Sequence, residues 1–482
     1  MAFLSIQNLY FFLLGSASIF SFAPYQFFFL PIIIFLSYFF LLEKSKNRIT
    51  STFFFGFGYF FVGLYWLIPC LVNFANTPIT IAIVGHAMLA SFLALFFLPL
   101  AYRKNIFSAI LLFTGFEIIR AYIFTGFPWL SIGFSQTINP FLNNYISWVG
   151  VHGTTFITLI IAALLLNYLK NRSKHHLFII LIIFIIGYLI SQLNFIQKNN
   201  TFQKYSLIQG NISQDVKWDL ETIDNQVNKY KSLLENTKGD ILIFPETTLP
   251  LIFNNYPEHF LASLNNKILH NKNEIILGSL VTENSQYFNA AIILSENKKE
   301  FYKKEHLVPF GEYLPFEKYL QSLYKNILNI PFSSLSKPDH ESKTYLVGKH
   351  HARLNICYED IFSKTYHADK AEIFINLTND AWYGKSPAAS QHLQIAQTRA
   401  LEFGRPILRA TNTGETTYID EKGHIVNRLK PFQQGILEID AYGTHGHTPF
   451  YYLKDIGILI IILTVFLSQK IFPLLYRKLK SK

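Results

Sequence analysis

LNICYE, residues 354–359, is a short apolar run that ends at a thiol, Cys357. Two further segments also place a reactive residue just beyond a strand: FPE at 244–246 ends in Glu246, and YKKEH at 302–306 carries Lys304. In open α/β sheets, functional sites form beyond the carboxyl ends of the strands. If the three strands are neighbours, these three side chains converge on one site.

Residues 203–441 alternate short apolar runs with amphipathic stretches, which predicts an α/β domain. The candidate helices span 219–237, 256–269 and 389–402. The candidate strands are Tyr205–Gln209, Ile241–Phe244, Ile275–Gly278, Ala290–Leu294, Leu354–Cys357, Ile373–Leu377 and Ile407–Ala410.

The sequence outside this domain is apolar enough to predict membrane helices. The chain is 50% hydrophobic and 15% charged, where about 25% charged is usual for soluble proteins. A span needs about 20 apolar residues. Predicted spans are 8–24, 26–42, 52–72, 79–100, 107–124, 152–170, 176–193 and 455–472. The predicted organisation is a membrane domain over 1–195 with seven spans, the α/β domain over 203–441, and a C-terminal membrane helix over 453–474.

Basic residues mark the loops after the second, fourth and sixth spans, whereas loops 73–78 and 121–151 have no Lys or Arg. Basic loops stay in the cytoplasm, and the basic C-terminal tail agrees. Both termini are therefore predicted to be cytoplasmic, with residues 200–450 on the outer, periplasmic face. Because no basic n-region precedes the first span, a removable signal peptide is not expected.

One charged pair, Glu117 and Arg120, lies three residues apart within a predicted span and shares a helix face. Intramembrane charges are candidates for function. One hypothesis is a structural pair near a helix end; the other is that Arg120 meets a lipid phosphate.

Several other functions are disfavoured. The net charge of +11 resides in short loops between apolar runs, which is typical of membrane topology and not of a nucleic-acid-binding face. Cys70 and Cys357 lie in different regions, so no disulfide framework is expected. Phosphate-loop, CxxC and HExxH motifs are absent from the sequence, so neither a metal nor a cofactor is expected.

A thiol, a carboxylate and an ammonium are sufficient for acyl transfer through a thioester. The carboxylate takes the thiol proton during attack, and the ammonium stabilises the oxyanion of the tetrahedral intermediate. Each residue alone also has a structural interpretation: Cys357 as a small buried apolar group, Glu246 as a helix cap, and Lys304 as part of a solvated basic run.

The ordered motifs resemble the Glu–Lys–Cys pattern of the nitrilase superfamily and, with the flanking spans, the apolipoprotein N-acyltransferase family. They are FPE at 244–246, KKEHLVPFGE at 303–312, CYE at 357–359, QGN at 209–211, KWD at 217–219, NDAWYG at 379–384, RALEFGRP at 399–406 and TNTG at 411–414. The resemblance covers nearly the whole chain. It implies an α-β-β-α nitrilase-like sandwich inserted between transmembrane helices 7 and 8 of an eight-helix membrane domain.

The resemblance also implies roles. Glu246 matches the general base, Lys304 the oxyanion-stabilising lysine and Cys357 the nucleophile. Glu312 matches a further acidic residue, and Glu402 an acid that supports the catalytic lysine in related enzymes. The motifs that line the site contain Trp218, Tyr358, Glu359, Asn379 and Trp382.

The implied reaction is the last step of bacterial lipoprotein maturation at the inner membrane. Cys357 takes an acyl chain from a phospholipid, typically phosphatidylethanolamine, and the α-amine of a diacylglyceryl-cysteine apolipoprotein accepts it. The alternatives are a membrane-anchored amidase or nitrilase-type hydrolase that uses water as acceptor, and a transporter with a binding domain. An apolar stripe over 316–328 either rests on the membrane and gates the acyl chain, or packs on the domain core.

Overall fold

The computed structural model describes residues 5–74, 77–102, 105–316, 319, 334–340 and 343–480; for residues 74 and 465–480 it describes the backbone only. The chain divides into two compact units. The first comprises residues 1–65, 83–195 and 447–482, and the second comprises residues 66–82 and 196–446.

The N-terminal third of the chain is helical. Its helices are α1 (Ile6–Ser16), α2 (Leu30–Lys44), α3 (Arg48–Gly63), α4 (Leu67–Phe74), α5 (Ile79–Ala94), α6 (Ile106–Tyr122), α7 (Ile146–Asn171) and α8 (Lys174–Ser191). Short 3-10 turns extend α1 through Ala17–Ser21 and α5 through Leu95–Ala101. A further helix, Pro449–Lys480, ends the described chain.

Three helices among the described residues are long and apolar enough to cross a membrane: Ile79–Ala101, Asn143–Asn171 and Lys174–Ser191. A fourth span results if α3 and the helix that follows it count as one broken span. Most apolar side chains of α8 are exposed, with Ile180 and Gly187 its buried residues, as in a helix that faces lipid. The chain is therefore a membrane protein, while the count of eight spans stays a prediction.

The predicted span 52–72 is broken into α3 and α4. Pro69 lies in the first turn of α4, where its missing N–H costs nothing, but its ring would clash with the carbonyl of a continuous helix. Similarly, the predicted span 8–24 loses α-helical form after Ser16 and ends before Pro24, because the residue before a proline is driven out of the helical region.

Glu117 and Arg120 are both buried in the first unit and form an ion pair of 3.8 Å. Arg120 donates to the carbonyls of Phe127 and Trp129 at 2.5 and 2.8 Å. Glu117 accepts a hydrogen bond from the backbone N–H of Ile132 at 3.0 Å. These contacts hold the loop after α6, which favours the structural hypothesis for this pair.

The second unit contains two six-stranded sheets within the described residues. The strands are β1 (Gln197–Gln209), β2 (Ile241–Ile243), β3 (Glu274–Glu283), β4 (Gln286–Ser295), β5 (Lys298–Lys303), β6 (Tyr345–Val347), β7 (His350–Ile356), β8 (Ile373–Thr378), β9 (Ile407–Thr411), β10 (Thr417–Ile419), β11 (Ile425–Arg428) and β12 (Gly435–His445). Their orders are β12-β1-β2-β3-β4-β5 and β11-β10-β9-β8-β7-β6. Both sheets are mixed, with β1, β2 and β3 parallel in one and β7, β8 and β9 parallel in the other.

Four layers form because each strand alternates its side chains between two apolar surroundings. One face of each sheet enters a shared core, in which Ile243 meets Leu354 and Ile375. The helices are α9 (Gln214–Lys217), α10 (Ile223–Glu235), α11 (Glu258–Asn271) and α12 (Ala388–Phe403). The outer face of the first sheet packs on α10 and α11, and α12 covers the second sheet at β9. The layering is therefore α-β-β-α.

All seven candidate strands are present, with ends shifted by a few residues and β1 extended toward its start. The three candidate helices correspond to α10, α11 and α12. The candidate strands did not include β5, β6, β10, β11 or β12. Of the stripe at 316–328, Phe316 and Tyr319 are exposed, and its other members lie outside the described residues.

Candidate active site

Glu246, Lys304 and Cys357 each follow a strand end, as predicted. Lys304 comes directly after β5 and Cys357 directly after β7, while Glu246 lies three residues beyond β2. Strand β5 runs in the direction of β2 and β3, because two antiparallel steps separate it from β3. Its carboxyl end therefore lies at the same edge of the sheet. All three side chains are buried.

The Lys304 ammonium lies between two carboxylates. Its Nζ is 2.9 Å from Oε1 of Glu312 and 3.4 Å from Oε1 of Glu246. Asn289, on β4, donates from Nδ2 to the same two oxygens at 2.8 Å each. The ammonium and the amide together fix both carboxylates. Asn289 was not among the predicted site residues. Its indication in the sequence was a lone amide side chain inside an apolar strand.

The charged side chains of this cluster shift the pKa values of Lys304 and Cys357. Burial alone would lower the pKa of the Lys304 ammonium, but Glu312 and Glu246 outweigh burial and hold that pKa well above its usual value. Burial raises the pKa of the Cys357 thiol; Glu246 raises it further, whereas Lys304 lowers it. Cys357 is therefore a thiol at neutral pH, and a thiol needs a proton acceptor in order to act as a nucleophile.

Cys357 adopts a left-handed backbone conformation, with φ of 50°. This conformation is unfavourable for a non-glycine residue. Residues held in such conformations are concentrated at functional sites. The turn Cys357–Ile361 that follows β7 is short and buried. Because the chain turns sharply here, the thiol side chain leaves the strand at the sheet edge.

Glu359 ties this turn to the Lys304 loop. Its Oε2 accepts from the hydroxyl of Tyr302 at 2.6 Å and the N–H of Ile356 at 2.7 Å. Its Oε1 accepts from the N–H groups of Glu305 and His306 at 2.7 and 3.0 Å. Burial raises the pKa of Glu359 to about 7, against the lowering effect of its hydrogen bonds. Glu359 is thus a brace between the ends of β5 and β7.

A buried ionic network that the sequence analysis missed lies behind the thiol. Arg409, on β9, pairs with Asp360 and Asp380. Burial raises the pKa of Asp380, but Arg409 and His392 together hold it below its usual value. His392, on α12, contacts Asp380 through Nδ1 at 3.0 Å and the carbonyl of Cys357 through Nε2 at 3.1 Å. The available signal was an arginine within an apolar strand.

The remaining predicted residues surround the cluster in different ways. Trp218 and Trp382 are partly exposed, and Tyr358 is buried with its ring against Phe362. Asn379 bonds to Gln214 and Asn412 at 3.0 Å each. Glu402 forms its ion pair with Arg399, whose guanidinium donates to the carbonyls of Asp360 and Ile361. The described ion pairs of Lys304 are instead with Glu246 and Glu312.

Residues 66–82 belong to the same compact unit as the site residues. Helix α4 packs beside the turn Asp380–Tyr383, and the Trp66 ring lies 5.0 Å from the Tyr383 ring. Residues 66–72 were predicted as the end of a membrane span. The break before α4 brings the Trp66 ring to the predicted NDAWYG motif.

The cluster has the parts of a covalent acyl-transfer site: a nucleophile, a proton acceptor and a cation for the oxyanion. Within the described ranges, no group of three or more His, Cys, Asp or Glu side chains is arranged to hold a metal ion.

Two family models match consecutive parts of the chain. Residues 14–164 match the apolipoprotein N-acyltransferase N-terminal domain, and residues 204–441 match carbon-nitrogen hydrolase. A solved CN-hydrolase superfamily protein from Xanthomonas campestris covers 50% of this chain and 90% of its own, with 15% identity and a TM-score of 0.38.

Full-length relatives extend the match to nearly the entire chain. The apolipoprotein N-acyltransferase of Nitrosomonas europaea is 32% identical over 461 residues, which cover 91% of this chain and 92% of that protein. That of Neisseria meningitidis serogroup A is 34% identical over 466 residues, covering 91% of each. The chain therefore belongs to the apolipoprotein N-acyltransferase family and is an acyltransferase with a nitrilase-like domain.

Proposed function

We propose that this enzyme moves an acyl chain from a phospholipid to the N-terminal amine of an apolipoprotein, with Cys357 as the covalent carrier. The observation that carries the mechanism is the buried cluster in which Lys304 lies 3.4 Å from Glu246 and both charges act on the Cys357 thiol. Family membership supplies the class of reaction, and the cluster supplies the groups that perform it.

In the first half-reaction, Glu246 accepts the Cys357 proton as the sulfur attacks the ester carbonyl of the lipid. The new sulfur–carbon bond creates a tetrahedral intermediate, and Lys304 stabilises its oxyanion. The ester carbon–oxygen bond then breaks, and the leaving alkoxide takes the proton from Glu246. The products are a thioester on the enzyme and a lysophospholipid. Phosphatidylethanolamine is the proposed donor.

In the second half-reaction, the α-amine of a diacylglyceryl-cysteine apolipoprotein attacks the thioester. Glu246 accepts a proton from the attacking amine, and Lys304 again stabilises the oxyanion. Breakage of the carbon–sulfur bond releases the amide and restores the thiol, which recovers its proton from Glu246. Acid and base roles therefore alternate on one carboxyl group.

Supporting roles follow from position. Glu312 holds the charge and direction of Lys304, and Glu359 holds the loops of Lys304 and Cys357 together. Trp218 and Trp382, which are partly exposed, are proposed to contact substrate. Tyr358 and Asn379 shape the site, and Glu402 acts through Arg399 on the turn that carries the thiol.

The proposed location is the bacterial inner membrane, with the nitrilase-like domain in the periplasm and both termini in the cytoplasm. The basic loops after the second, fourth and sixth predicted spans support this orientation. It places the thiol on the side where exported apolipoproteins arrive, and the lipid donor is supplied by the surrounding bilayer.

Intact mass spectrometry with phosphatidylethanolamine and no acceptor tests the mechanism. We expect the mass of one acyl chain to be added, to be released by hydroxylamine, and to be missing in Cys357→Ala. Glu246→Gln should remain folded and form the adduct at least about 100-fold more slowly, within the range of a general base. An adduct on Cys357→Ala would disprove the assignment of the nucleophile. Steady release of free fatty acid without acceptor would favour the hydrolase alternative.

A further inference from the structure

A second lysine, Lys217, is buried beside the proposed base and has no part in the mechanism above. It ends α9, and none of its surface is exposed. Its Nζ donates to the backbone carbonyl of Glu246 at 3.3 Å, the one hydrogen bond that the described part of the chain gives this ammonium. Burial lowers the pKa of Lys217 to about 8, and the charge of Glu246 acts in the opposite direction.

The carbonyl that Lys217 contacts belongs to a strained turn. Thr247 follows Glu246 and has φ of 45°, a conformation that is a genuine outlier for a β-branched residue. On its other side, the turn is fixed by the N–H of Thr248, which donates to Gly278 on β3 at 2.8 Å. Lys217 therefore holds the Glu246–Thr247 peptide in the orientation that this turn requires.

Burying an ammonium that has one neutral hydrogen-bond partner is unfavourable in free energy. The desolvation of a charge costs more than a neutral donor would, and an amide side chain could make the same bond. The turn α9 is itself anchored, because Gln226 on α10 donates to the carbonyl of Lys217 at 2.9 Å. Lys217 is therefore fixed at its own backbone and holds the Glu246–Thr247 peptide through its side chain.

We propose that Lys217 is a positioning residue for Glu246, which fixes the backbone of the base so that its carboxylate is held in place for proton transfer. This inference rests on the proposed role of Glu246. Lys217 holds the backbone carbonyl of the base, whereas Lys304 contacts its carboxylate.

The contacts of the Glu246 carboxylate do not involve Lys217. Lys304 and Asn289 contact that carboxylate, and Glu312 shares both of these partners. Removal of Lys217 should therefore release the Glu246–Thr247 peptide and leave the partners of the carboxylate in place.

The experiment measures the second-order rate constant of acyl-enzyme formation on Cys357 from pH 5 to pH 9. Wild type is compared with Lys217→Met, Lys217→Gln and Lys217→Arg. This rate constant reports the protonation of the free enzyme. We expect the plateau of the profile to fall at least about 10-fold in Lys217→Met, since small misplacements of catalytic groups are costly. The plateau should recover in part in Lys217→Gln and Lys217→Arg, because both side chains keep a donor for the Glu246 carbonyl.

The matched control is Lys229→Met. Its Nζ also donates to a backbone carbonyl, that of Asn211, at 3.4 Å, away from Glu246. We expect a wild-type plateau in this variant. Equal losses in Lys217→Met, Lys217→Gln and Lys217→Arg, or unchanged plateaus in all three, would overturn the inference. If Met does not fold, Lys217→Leu takes its place as the variant without a donor.

Failure of the proposed function would look different. In that case, wild type would form no adduct on Cys357, or Glu246→Gln would acylate at the wild-type rate. A normal wild type with an inactive Glu246→Gln and wild-type plateaus in the Lys217 variants would overturn only the inference about Lys217.

Discussion

Two of the reactive residues lie at or next to strained backbone: Cys357 has φ of 50°, and Thr247, after Glu246, has φ of 45°. Strain of this kind costs on the order of 1–3 kcal/mol per residue and persists when the surroundings fix it. Here the surroundings are polar. The backbone carbonyl of Cys357 contacts Nε2 of His392, and that of Glu246 accepts a hydrogen bond from Nζ of Lys217. The backbone of the site is thus fixed by two side chains outside the proposed catalytic three.

Glu312 provides the first prediction at this scale. In Glu312→Gln, Lys304 loses its nearer carboxylate partner, so its pKa falls and its ammonium is held less firmly. We expect acyl-enzyme formation to slow about 10- to 100-fold, less than in Glu246→Gln, because the base remains. Pre-steady-state adduct formation measures both rates. The control is Glu283→Gln, which removes the exposed partner of neighbouring Lys303 and should leave the rate unchanged. An unimpaired Glu312→Gln would contradict the role given to this carboxylate.

At the scale of elements, β3 determines where the turn after β2 can lie. A Cβ added at Gly278 would lie 2.4 Å from the carbonyl oxygen of Pro245 and 2.6 Å from Cα of Glu246. Both atoms are backbone, so neither can rotate away. The close approach of β3 to this turn therefore requires a residue without a side chain.

Gly278→Ala should consequently displace Glu246 without removing any functional group. We expect a protein that is still folded, with acyl-enzyme formation reduced at least about 10-fold, since small misplacements of catalytic groups are costly. Gly435→Ala, in β12, is the control: its added Cβ would come no closer than 3.3 Å to a flexible leucine side chain. Equal rates in the two variants would show that the position of the turn does not limit catalysis.

The same scale explains what the sequence could and could not predict. Strands β2, β7 and β8 were predictable because each is a short apolar run. That β2 lies in one sheet while β7 and β8 lie in the other was not predictable, because an apolar run does not reveal which sheet it joins. Strand β5 was not named, because its exposed edge carries Lys298, Lys299 and Glu300, which give no apolar run. Asn289 and Arg409 were not identified, because a polar residue inside an apolar strand does not reveal which buried partner it meets.

The sequence predicted helix α4 only as the end of a membrane span and did not predict its contact with the turn Asp380–Tyr383. Its composition is that of a membrane span, and periodicity cannot distinguish a helix that faces lipid from one that packs on a catalytic domain. The interruption at Pro69 was visible in the sequence, but not the pairing of Trp66 with Tyr383. Such a pairing is a tertiary contact between residues more than 300 positions apart.

At the scale of the whole molecule, the proposed chemistry depends on orientation, because the thioester must meet exported apolipoproteins. The basic loop between α7 and α8 contains Lys170, Arg172 and Lys174, and moving such charges across a membrane is unfavourable. This loop should therefore stay in the cytoplasm. The turn Asp420–Gly423, between β10 and β11 of the nitrilase-like domain, should be periplasmic.

Single cysteines at two exposed positions test this orientation, in a background with Cys70→Ala and Cys357→Ala. We expect Lys422→Cys to react with a membrane-impermeant maleimide in intact spheroplasts. Arg172→Cys should react only after lysis, because the reagent cannot reach the cytoplasm. Both sites are exposed, so equal labelling in detergent provides the control for reactivity. The opposite pattern would put the thiol on the wrong side of the membrane for lipoprotein acylation. The proposed substrate would then be excluded even if every residue of the cluster performed its assigned chemistry.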